Sequence, residues 1–413
     1  MLSGDVSAYL IVFLVAAGVT LVTTPVVRVL AIRTGAIYQP GDRTVHTRPL
    51  PTLGGLAMYL GLLAGLGVSY ALPFFGEVHE SRSDPLATVI TATLIVALGL
   101  VDDTKGILPL TKLTAQIFIA GVLVLLGVEL AWIWIPFVTG ADAESFGQIV
   151  VLSGGLATPL TILWVVAIAN AVNLIDGLDG LAAGMVAIAT GAFFVYMVNS
   201  DSYFGDASEP ALLAAVTAGI CVGFLPWNFH PARIFMGDTG SLLLGLLVAI
   251  ATISGVGRNP YPPSTGDFAA IAGPVLVPLL ALFIPFLDVV AAIVRRTRRG
   301  QAIGHPDKEH LHHRLIDIGH SHRQAVLLMY LWSALISGSA LAVGLIDGRL
   351  TVGLILVTAL ALFLVTVLPR LADRRNGNGH GDADGGGGGA AGAVSTSSGT
   401  APPTTQPVAP PGG

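Results

Sequence analysis

The sequence predicts an all-α polytopic membrane protein, and two features of its composition support this fold class. Only 11% of the 413 residues are charged and 53% are hydrophobic, whereas soluble domains carry about 25% charged residues. Several apolar runs also reach the roughly 20 residues that an α-helix needs to cross a bilayer. We therefore expect about eleven transmembrane helices, at residues 8–29, 53–75, 86–101, 113–131, 158–175, 181–198, 210–226, 240–257, 268–294, 325–345 and 350–369.

The first span is expected to be retained and to begin outside the cell. No basic residue precedes Arg28, so the start of the chain lacks the basic region of a cleaved signal peptide. The predicted outside loops contain only Arg82, Arg258 and Arg349 as basic residues. Because Lys and Arg concentrate on the cytoplasmic side, we predict a multi-pass protein of the cell membrane with its N-terminus outside and its C-terminus and polar motifs in the cytoplasm.

The third predicted span ends at two adjacent carboxylates, Asp102 and Asp103. Residues 86–101 would measure about 24 Å as a helix, less than the hydrocarbon core of about 30 Å, which would hold the pair at the membrane edge. Adjacent side chains on a helix diverge. One carboxylate is therefore expected to face a metal ion and the other a lipid phosphate or a basic residue, with a solvated helix end as the alternative.

The following outside loop is expected to form a short extracytoplasmic β-hairpin. Residues 131–136 and 148–152 are rich in β-forming residues, and glycines lie between them, a pattern typical of a hairpin. Trp132 and Trp134 suit the aromatic belt at a membrane surface.

The stretch from Asn173 to Ala182 places two further carboxylates, Asp176 and Asp179, between two apolar runs. Together with Asn170 these polar residues recur at every third position, so a helix would place them along one side. Carboxylates that face lipid cost several kcal/mol unless they are paired, solvated or bound to a cation. A cation and phosphate site is predicted here, with a polar turn between two spans as the simpler alternative.

A fifth carboxylate, Asp238, stands in the glycine-flanked stretch 235–241, immediately before another apolar run. It is a good N-cap residue for the next helix, which is its simplest role. A helix N-terminus also suits phosphate, and a carboxylate at that position would bind phosphate only through a bridging cation.

Basic side chains occupy the predicted cytoplasmic loops around these carboxylates. The longest loop contains a histidine cluster at 310–313 followed by Arg314. These groups would bind the diphosphate of a nucleotide; a zinc site is the less favoured alternative, because the usual ligand spacing is missing. The candidate substrate-binding residues are Asn173, Arg43, His46, Lys112, His310, His312, His313 and Arg314.

The carboxylates and basic groups together fit a magnesium site that serves phosphate substrates. Mg²⁺ binds one or two carboxylates together with substrate phosphates and water, and Mn²⁺ is an expected substitute. The carboxylates that could supply such a site are Asp102, Asp103, Asp176, Asp179 and Asp238.

The C-terminal segment differs in composition from the rest of the chain. Residues 376–413 are mostly Gly, Pro, Ala, Ser and Thr, a composition that cannot bury a core. We expect an integral membrane domain at 1–375 and a disordered cytoplasmic tail at 376–413.

The motifs, in this order, resemble those of the polyprenyl-phosphate N-acetylhexosamine-1-phosphate transferases, glycosyl transferase family 4. The resemblance rests on residues 101–103, 173–182, 235–241 and 310–314 and spans about residues 8–370. The His-Leu-His-His sequence is similar to the N-acetylglucosamine branch of the family. Residues 43–59 and 310–324 are similar to the decaprenyl-phosphate enzymes.

The resemblance implies transfer of N-acetylglucosamine-1-phosphate from UDP-N-acetylglucosamine to a polyprenyl phosphate, decaprenyl or undecaprenyl, with release of UMP. This would be a first membrane step in making a cell-wall or surface polysaccharide. It implies that Asp238 is the leading metal ligand and that Asp102 is a base or the partner of the lipid phosphate. Asp103, Asp176 and Asp179 would organise metal and substrate. By this resemblance the candidate catalytic residues are Asp102, Asp103, Asp176 and Asp179, and the candidate metal ligands are Asp238 and Asp176. Membrane lipids are expected partners and nucleic acid is not, and a homodimer is left open.

Three other functions are weighed against this one. The phospho-N-acetylmuramoyl-pentapeptide branch of the same family carries a different histidine-rich loop. An ion-coupled transporter would place acidic residues near mid-span, whereas here they cluster at predicted helix ends on one side. A CDP-alcohol phosphotransferase would have a more widely spaced aspartate pattern than residues 176–180 provide.

Overall fold

The computed structural model describes residues 4–39, 49–81, 84–135, 148–199, 208–257, 297–298, 320–345 and 356–361. Within these ranges the chain is mainly helical, as predicted. The helices are α1 (Gly4–Thr34), α2 (Gly54–Ser69), α3 (Gly76–Ser81), α4 (Asp84–Lys105), α5 (Pro109–Leu125), α6 (Gly154–Ile175), α7 (Leu181–Asn199), α8 (Glu209–Asn228), α9 (Gly237–Gly257) and α10 (His322–Leu345). A short 3-10 helix covers Pro73–Phe75, and the strands are β1 (Ile37–Tyr38), β2 (Leu50–Pro51), β3 (Trp132–Ile135) and β4 (Gln148–Val151).

Among the described residues, six helices are long and apolar enough to cross a membrane: α1, α4, α6, α7, α8 and α9. A seventh span results if α2 and the segment 73–80 are counted together. The span predicted at 268–294 lies outside the described residues, as does most of the one at 350–369. The chain is a multi-pass membrane protein, and the count of eleven spans stays a prediction.

Two predicted spans have a different shape in the structure. The span predicted at 53–75 breaks after Ser69, and the segment 73–80 is bent away from α2 by 89°, because Pro73 disfavours helix at the residue before it. The third span is not short: α4 has 22 residues, about 33 Å. It continues through Asp102 and Asp103 to Lys105, since two charged residues do not by themselves end a helix.

Helix α9 is at the centre of the bundle and is buried along nearly its whole length. It packs against α2, α4, α6 and α8. Glycines permit the close approach: a Cβ at Gly99 of α4 would lie 2.5 Å from the Thr239 backbone, and one at Gly55 of α2 would lie 2.1 Å from the Gly240 nitrogen. Small residues at helix contacts have this role in membrane proteins, and here they fix the start of α9 between two neighbouring helices.

The predicted hairpin is present. Strands β3 and β4 pair antiparallel, with Trp132 opposite Val151 and Ile135 opposite Gln148. Trp132 is only 3% exposed, so its ring packs inside the protein and the prediction that it lies in an aromatic belt is wrong. A second antiparallel pair, β1 with β2, was not predicted, because two-residue strands leave no periodic pattern in the sequence.

Candidate active site

Two of the polar residues at every third position lie on α6 and contact different neighbouring helices. Asn170 exchanges hydrogen bonds with Gln116 of α5, with N–O distances of 2.6 and 3.5 Å. Asn173, one turn later, donates to Asp238 at 2.6 Å and to Ser241 at 2.8 Å. The helix ends at Ile175, so the prediction of one helical side holds for the two asparagines, whereas the two aspartates lie in the turn that follows.

Asp238 is the residue at which these helices meet. Its Oδ1 accepts the hydrogen bond from Asn173, and its Oδ2 accepts one from the ammonium of Lys112 on α5. Three helices, α5, α6 and α9, therefore contribute to one cluster. Lys112, a predicted substrate-binding residue, lies directly between two of the predicted acidic residues, Asp102 and Asp238.

The adjacent carboxylates at the end of α4 face different ways, as predicted. Asp102 Oδ2 lies 3.0 Å from the Lys112 ammonium, and Oδ1 accepts a hydrogen bond from the Ile107 amide at 2.9 Å. Asp102 is therefore the carboxylate that faces a basic residue. Lys112 joins it to Asp238, so a single ammonium offsets part of the charge of both.

Asp103 binds the first turn of α9. Its Oδ1 accepts from the Asp238 amide at 2.8 Å, and its Oδ2 accepts from the Thr239 amide at 3.0 Å and the Thr239 hydroxyl at 2.6 Å. These amides have no partner inside their own helix. The predicted N-cap role of Asp238 is wrong: Asp238 lies within the first turn of α9, Asp103 from another helix satisfies the amides, and the Asp238 carboxylate is left to point into the cluster.

Asp179 lies in the turn between α6 and α7 and is 4% exposed. Its Oδ2 accepts from Nδ1 of His230 at 2.8 Å and from the Ala232 amide at 3.0 Å. His230 is not among the site residues predicted from the sequence. Its position in the polar stretch between α8 and α9, eight residues before Asp238, could have indicated it.

Asp176 follows the last residue of α6, in the same turn as Asp179. Burial, followed by the negative charges of Asp238, Asp103 and Asp179, raises the pKa of Asp176 to about 8. Both causes disfavour a negative charge on Asp176. Lys112 contacts Asp102 and Asp238, and His230 contacts Asp179.

The donor set fits a hard divalent cation. Asp176 and Asp238 carry carboxylate oxygens, and Asn173 and Ser241, which contact each other next to Asp238, carry neutral oxygens. Oxygen ligands are those that Mg²⁺ prefers. A bound cation would also offset the charge that raises the pKa of Asp176. This arrangement suits chemistry on phosphate groups, in which charge stabilisation is the main requirement.

The remaining predicted substrate-binding residues lie outside the described residues, and their roles stay predictions. They are Arg43, His46, His310, His312, His313 and Arg314.

Comparison with known proteins identifies the family. A family model for glycosyl transferase family 4 matches residues 85–256, which include all five clustered aspartates. A decaprenyl-phosphate N-acetylglucosaminephosphotransferase of Mycobacterium leprae (strain TN) is 41% identical over 376 residues, covering 89% of this chain and 91% of the relative.

Two further relatives have different names. A probable undecaprenyl-phosphate N-acetylglucosaminyl 1-phosphate transferase of Bacillus subtilis (strain 168) is 37% identical, covering 83% of this chain and 86% of the relative. A phospho-N-acetylmuramoyl-pentapeptide-transferase of Desulforudis audaxviator (strain MP104C) is 34% identical, covering 77% and 93%. With this level of identity over most of both chains, the protein belongs to glycosyl transferase family 4.

Proposed function

We propose that the protein transfers N-acetylglucosamine-1-phosphate from UDP-N-acetylglucosamine to a polyprenyl phosphate, decaprenyl or undecaprenyl, and releases UMP. The observation that carries the proposal is the joining of Asp102, Lys112, Asn173 and Asp238 into one cluster by contacts among four helices. The names of the N-acetylglucosamine relatives, at 41% and 37% identity, support the choice of sugar and of lipid acceptor.

Mg²⁺ is the proposed cofactor, with Mn²⁺ as a substitute. Asp238 and Asp176 would hold it, with Asn173 beside them. When bound, the cation offsets negative charge on the donor diphosphate. This choice rests on the oxygen donor set and on the raised pKa of Asp176, which burial and then the charges of the neighbouring carboxylates cause.

The reaction is proposed to be an exchange at phosphorus. An oxygen of the polyprenyl phosphate attacks the β-phosphorus of the donor, and the bond from that phosphorus to the oxygen of UMP breaks. The second pKa of a phosphate monoester is about 6, so the acceptor is largely dianionic at neutral pH and needs no strong base. Lys112 would contact the acceptor phosphate, and Asp102 would orient that ammonium. A two-step route through an aspartyl-phosphate is the alternative.

The surface beside the cluster suits a lipid acceptor. On α5 and just before it, Leu108 and Leu110 are 74% and 73% exposed, and Phe118 is 66% exposed. An apolar chain lying along these residues would bring its phosphate towards Lys112. We propose that this end of the bundle faces the cytoplasm, where nucleotide sugars are made, and that the protein resides in the cell membrane with its N-terminus outside.

The test is an assay of the purified protein with UDP-N-acetylglucosamine, Mg²⁺ and decaprenyl or undecaprenyl phosphate. We expect release of UMP, a lipid product with two phosphates, and reversal by excess UMP, because one phosphoanhydride replaces another. Release of UDP would contradict exchange at phosphorus. Parallel reactions with UDP-N-acetylmuramoyl-pentapeptide and a CDP-alcohol test the two enzymes weighed above, and turnover of either in place of UDP-N-acetylglucosamine would overturn the assignment.

A further inference from the structure

A second polar cluster, formed by Asp179, His230 and His322, adjoins the carboxylates through the turn after α6. The Asp179 carboxylate is almost fully buried, whereas the His230 side chain that donates to it is 37% exposed. A buried carboxylate is costly unless it accepts hydrogen bonds. His230 and the Ala232 amide supply them, so the orientation of Asp179 depends on where the segment 228–236 lies.

The segment 228–236 is tied to the turn that carries Asp179. Asn228 accepts a hydrogen bond from the Gly180 amide at 3.0 Å and donates to the Ile234 carbonyl at 3.0 Å. The segment then leads directly into α9 and Asp238. It therefore joins two predicted parts of the active site, the Asp179 turn and the start of α9.

Helix α10 contacts both the segment 228–236 and the turn that carries Asp179. The His322 ring stacks on the His230 ring, with centroids 4.3 Å apart and planes inclined by 21°. Arg323 donates to the His230 carbonyl at 3.0 Å, and the Tyr330 hydroxyl donates to the Gly180 carbonyl. Three residues of one helix thus contact both the segment and the turn.

A metal site is the obvious alternative for this cluster, because one ligand atom from each of the three residues lies within 4.8 Å of the others. A metal ion bound to an imidazole lies in the plane of the ring, along the nitrogen lone pair. Two rings stacked nearly parallel have no nearby point that lies in both planes. The observed geometry is therefore that of a hydrogen-bonded and stacked pair.

We propose that His230 and His322 are positioning residues for the donor nucleotide sugar. His230 orients the Asp179 carboxylate, and His322 fixes the His230 ring, so that the Asp179 turn keeps its place beside the start of α9. The donor is the substrate affected because it is water-soluble and arrives from the side on which His230 is exposed, whereas the apolar acceptor approaches along α5. This inference rests on the proposed function.

Matched variants separate the hydrogen bond from the stack. His230→Asn keeps an N–H donor near the position of Nδ1, and His230→Ala removes it. His322→Phe keeps a stacking ring, and His322→Ala removes it. His79→Ala is the control. His79 lies in α3, away from the cluster, and its ring stacks on that of Tyr70 with the centroids 3.7 Å apart.

The first measurement is steady-state kinetics with each substrate varied in turn. For His230→Ala we expect the KM for UDP-N-acetylglucosamine to rise about tenfold or more, with kcat and the acceptor KM within about threefold of wild type. His322→Ala should shift the same constant less, both conservative variants should recover most of the loss, and His79→Ala should match wild type. A fall in kcat at an unchanged donor KM would overturn the proposal.

The second measurement does not depend on activity. Hydrogen–deuterium exchange in peptides covering residues 177–184 should rise in both alanine variants and stay unchanged in His79→Ala; equal exchange in all of them would overturn the proposal. So would stoichiometric zinc in the purified protein that is lost in both alanine variants. If wild type does not turn over UDP-N-acetylglucosamine, the proposed function is wrong, and so is the assignment of the donor. The exchange data would still decide whether the two histidines stabilise the turn that carries Asp179.

Discussion

The carboxylate of Asp103 accepts a hydrogen bond from the backbone amide of Asp238 at 2.8 Å. One predicted catalytic residue thereby holds the backbone of the predicted metal ligand. The contact joins α4 to α9 and leaves the Asp238 side chain free to meet Asn173 and Lys112. Any change that moves Asp103 is therefore expected to move Asp238 with it.

Gly237→Ala tests this contact. Gly237 has φ of +68°, and a Cβ there would lie 2.4 Å from Oδ2 of Asp103. The left-handed backbone alone costs about 1–2 kcal/mol for an L-residue, and the displaced carboxylate adds to it. We expect a lower Tm and a loss of most transferase activity, measured on purified protein in detergent.

Gly121→Ala is the matched control for that variant. Gly121 lies in α5, and a Cβ there meets no atom within 4 Å. Alanine is the better helix former by about 1 kcal/mol, so Tm should be equal or slightly higher. Equal behaviour of the two variants would show that the Asp103 contact is dispensable.

Asp238→Asn should abolish activity without unfolding the protein. The variant keeps the backbone amide that donates a hydrogen bond to Asp103, but it loses the negative charge that faces Lys112 and the proposed cation. We expect kcat to fall by at least about 100-fold, with normal membrane insertion and Tm. The exposed change Glu80→Gln, which also removes one negative charge, should leave kcat unchanged. Near-normal turnover by Asp238→Asn with the same Mg²⁺ requirement would remove Asp238 from the proposed metal site.

Asp176 should make the stability of the metal-free protein depend on pH. Its pKa is raised to about 8 in the folded protein, against about 3.9 in an unfolded chain. The folded state therefore binds the proton more tightly, and stability is lost as pH rises from about 4 to about 8. In EDTA, we expect Tm to fall more across this range in wild type than in Asp176→Asn.

Mg²⁺ added at pH 8.5 should raise Tm of wild type and have a smaller effect on Asp176→Asn, since the variant lacks one proposed ligand. EDTA should also abolish turnover by wild type. Glu80→Gln should follow the wild-type curve at every pH. Parallel curves of Tm against pH for wild type and Asp176→Asn would mean that Asp176 does not cause the pH dependence of stability.

The buried amide pair of Gln116 and Asn170 should behave as a unit. Gln116 is 2% exposed, so Asn170→Leu leaves its amide without its partner, at a cost of about 1–3 kcal/mol. Gln116→Leu should cost a similar amount. The double variant should cost less than the sum of the two, because it leaves no buried polar group unpaired. Chemical unfolding of all three measures this, and simple additivity would contradict the coupling.

Local patterns were sufficient to predict the helices and part of the site. Apolar runs located most of the helices, and the period of three placed Asn170 and Asn173 on one side of α6. The divergence of Asp102 and Asp103 followed from helical geometry alone. The break after Ser69 could have been predicted from Pro73.

The partners of these residues could not be predicted, because they depend on which helices are neighbours. Nothing near Asp103 in the sequence indicates that it satisfies the amides of a helix that begins 134 residues later (237 minus 103). The stack of His322 on His230 likewise joins residues from distant parts of the chain. Such contacts require the three-dimensional packing of the bundle.

Three polar residues of the row on α6 and the turn after it have partners in different parts of the chain. Asn170 contacts Gln116 of α5, Asn173 contacts Asp238 of α9, and Asp179 contacts His230 of the segment after α8. Before these parts have come together, the chain contains no half-formed version of the site. A partly folded chain is therefore expected to lack the contacts that orient these side chains. Assembly of the site is in this way coupled to completion of the bundle, so turnover should report on complete folding.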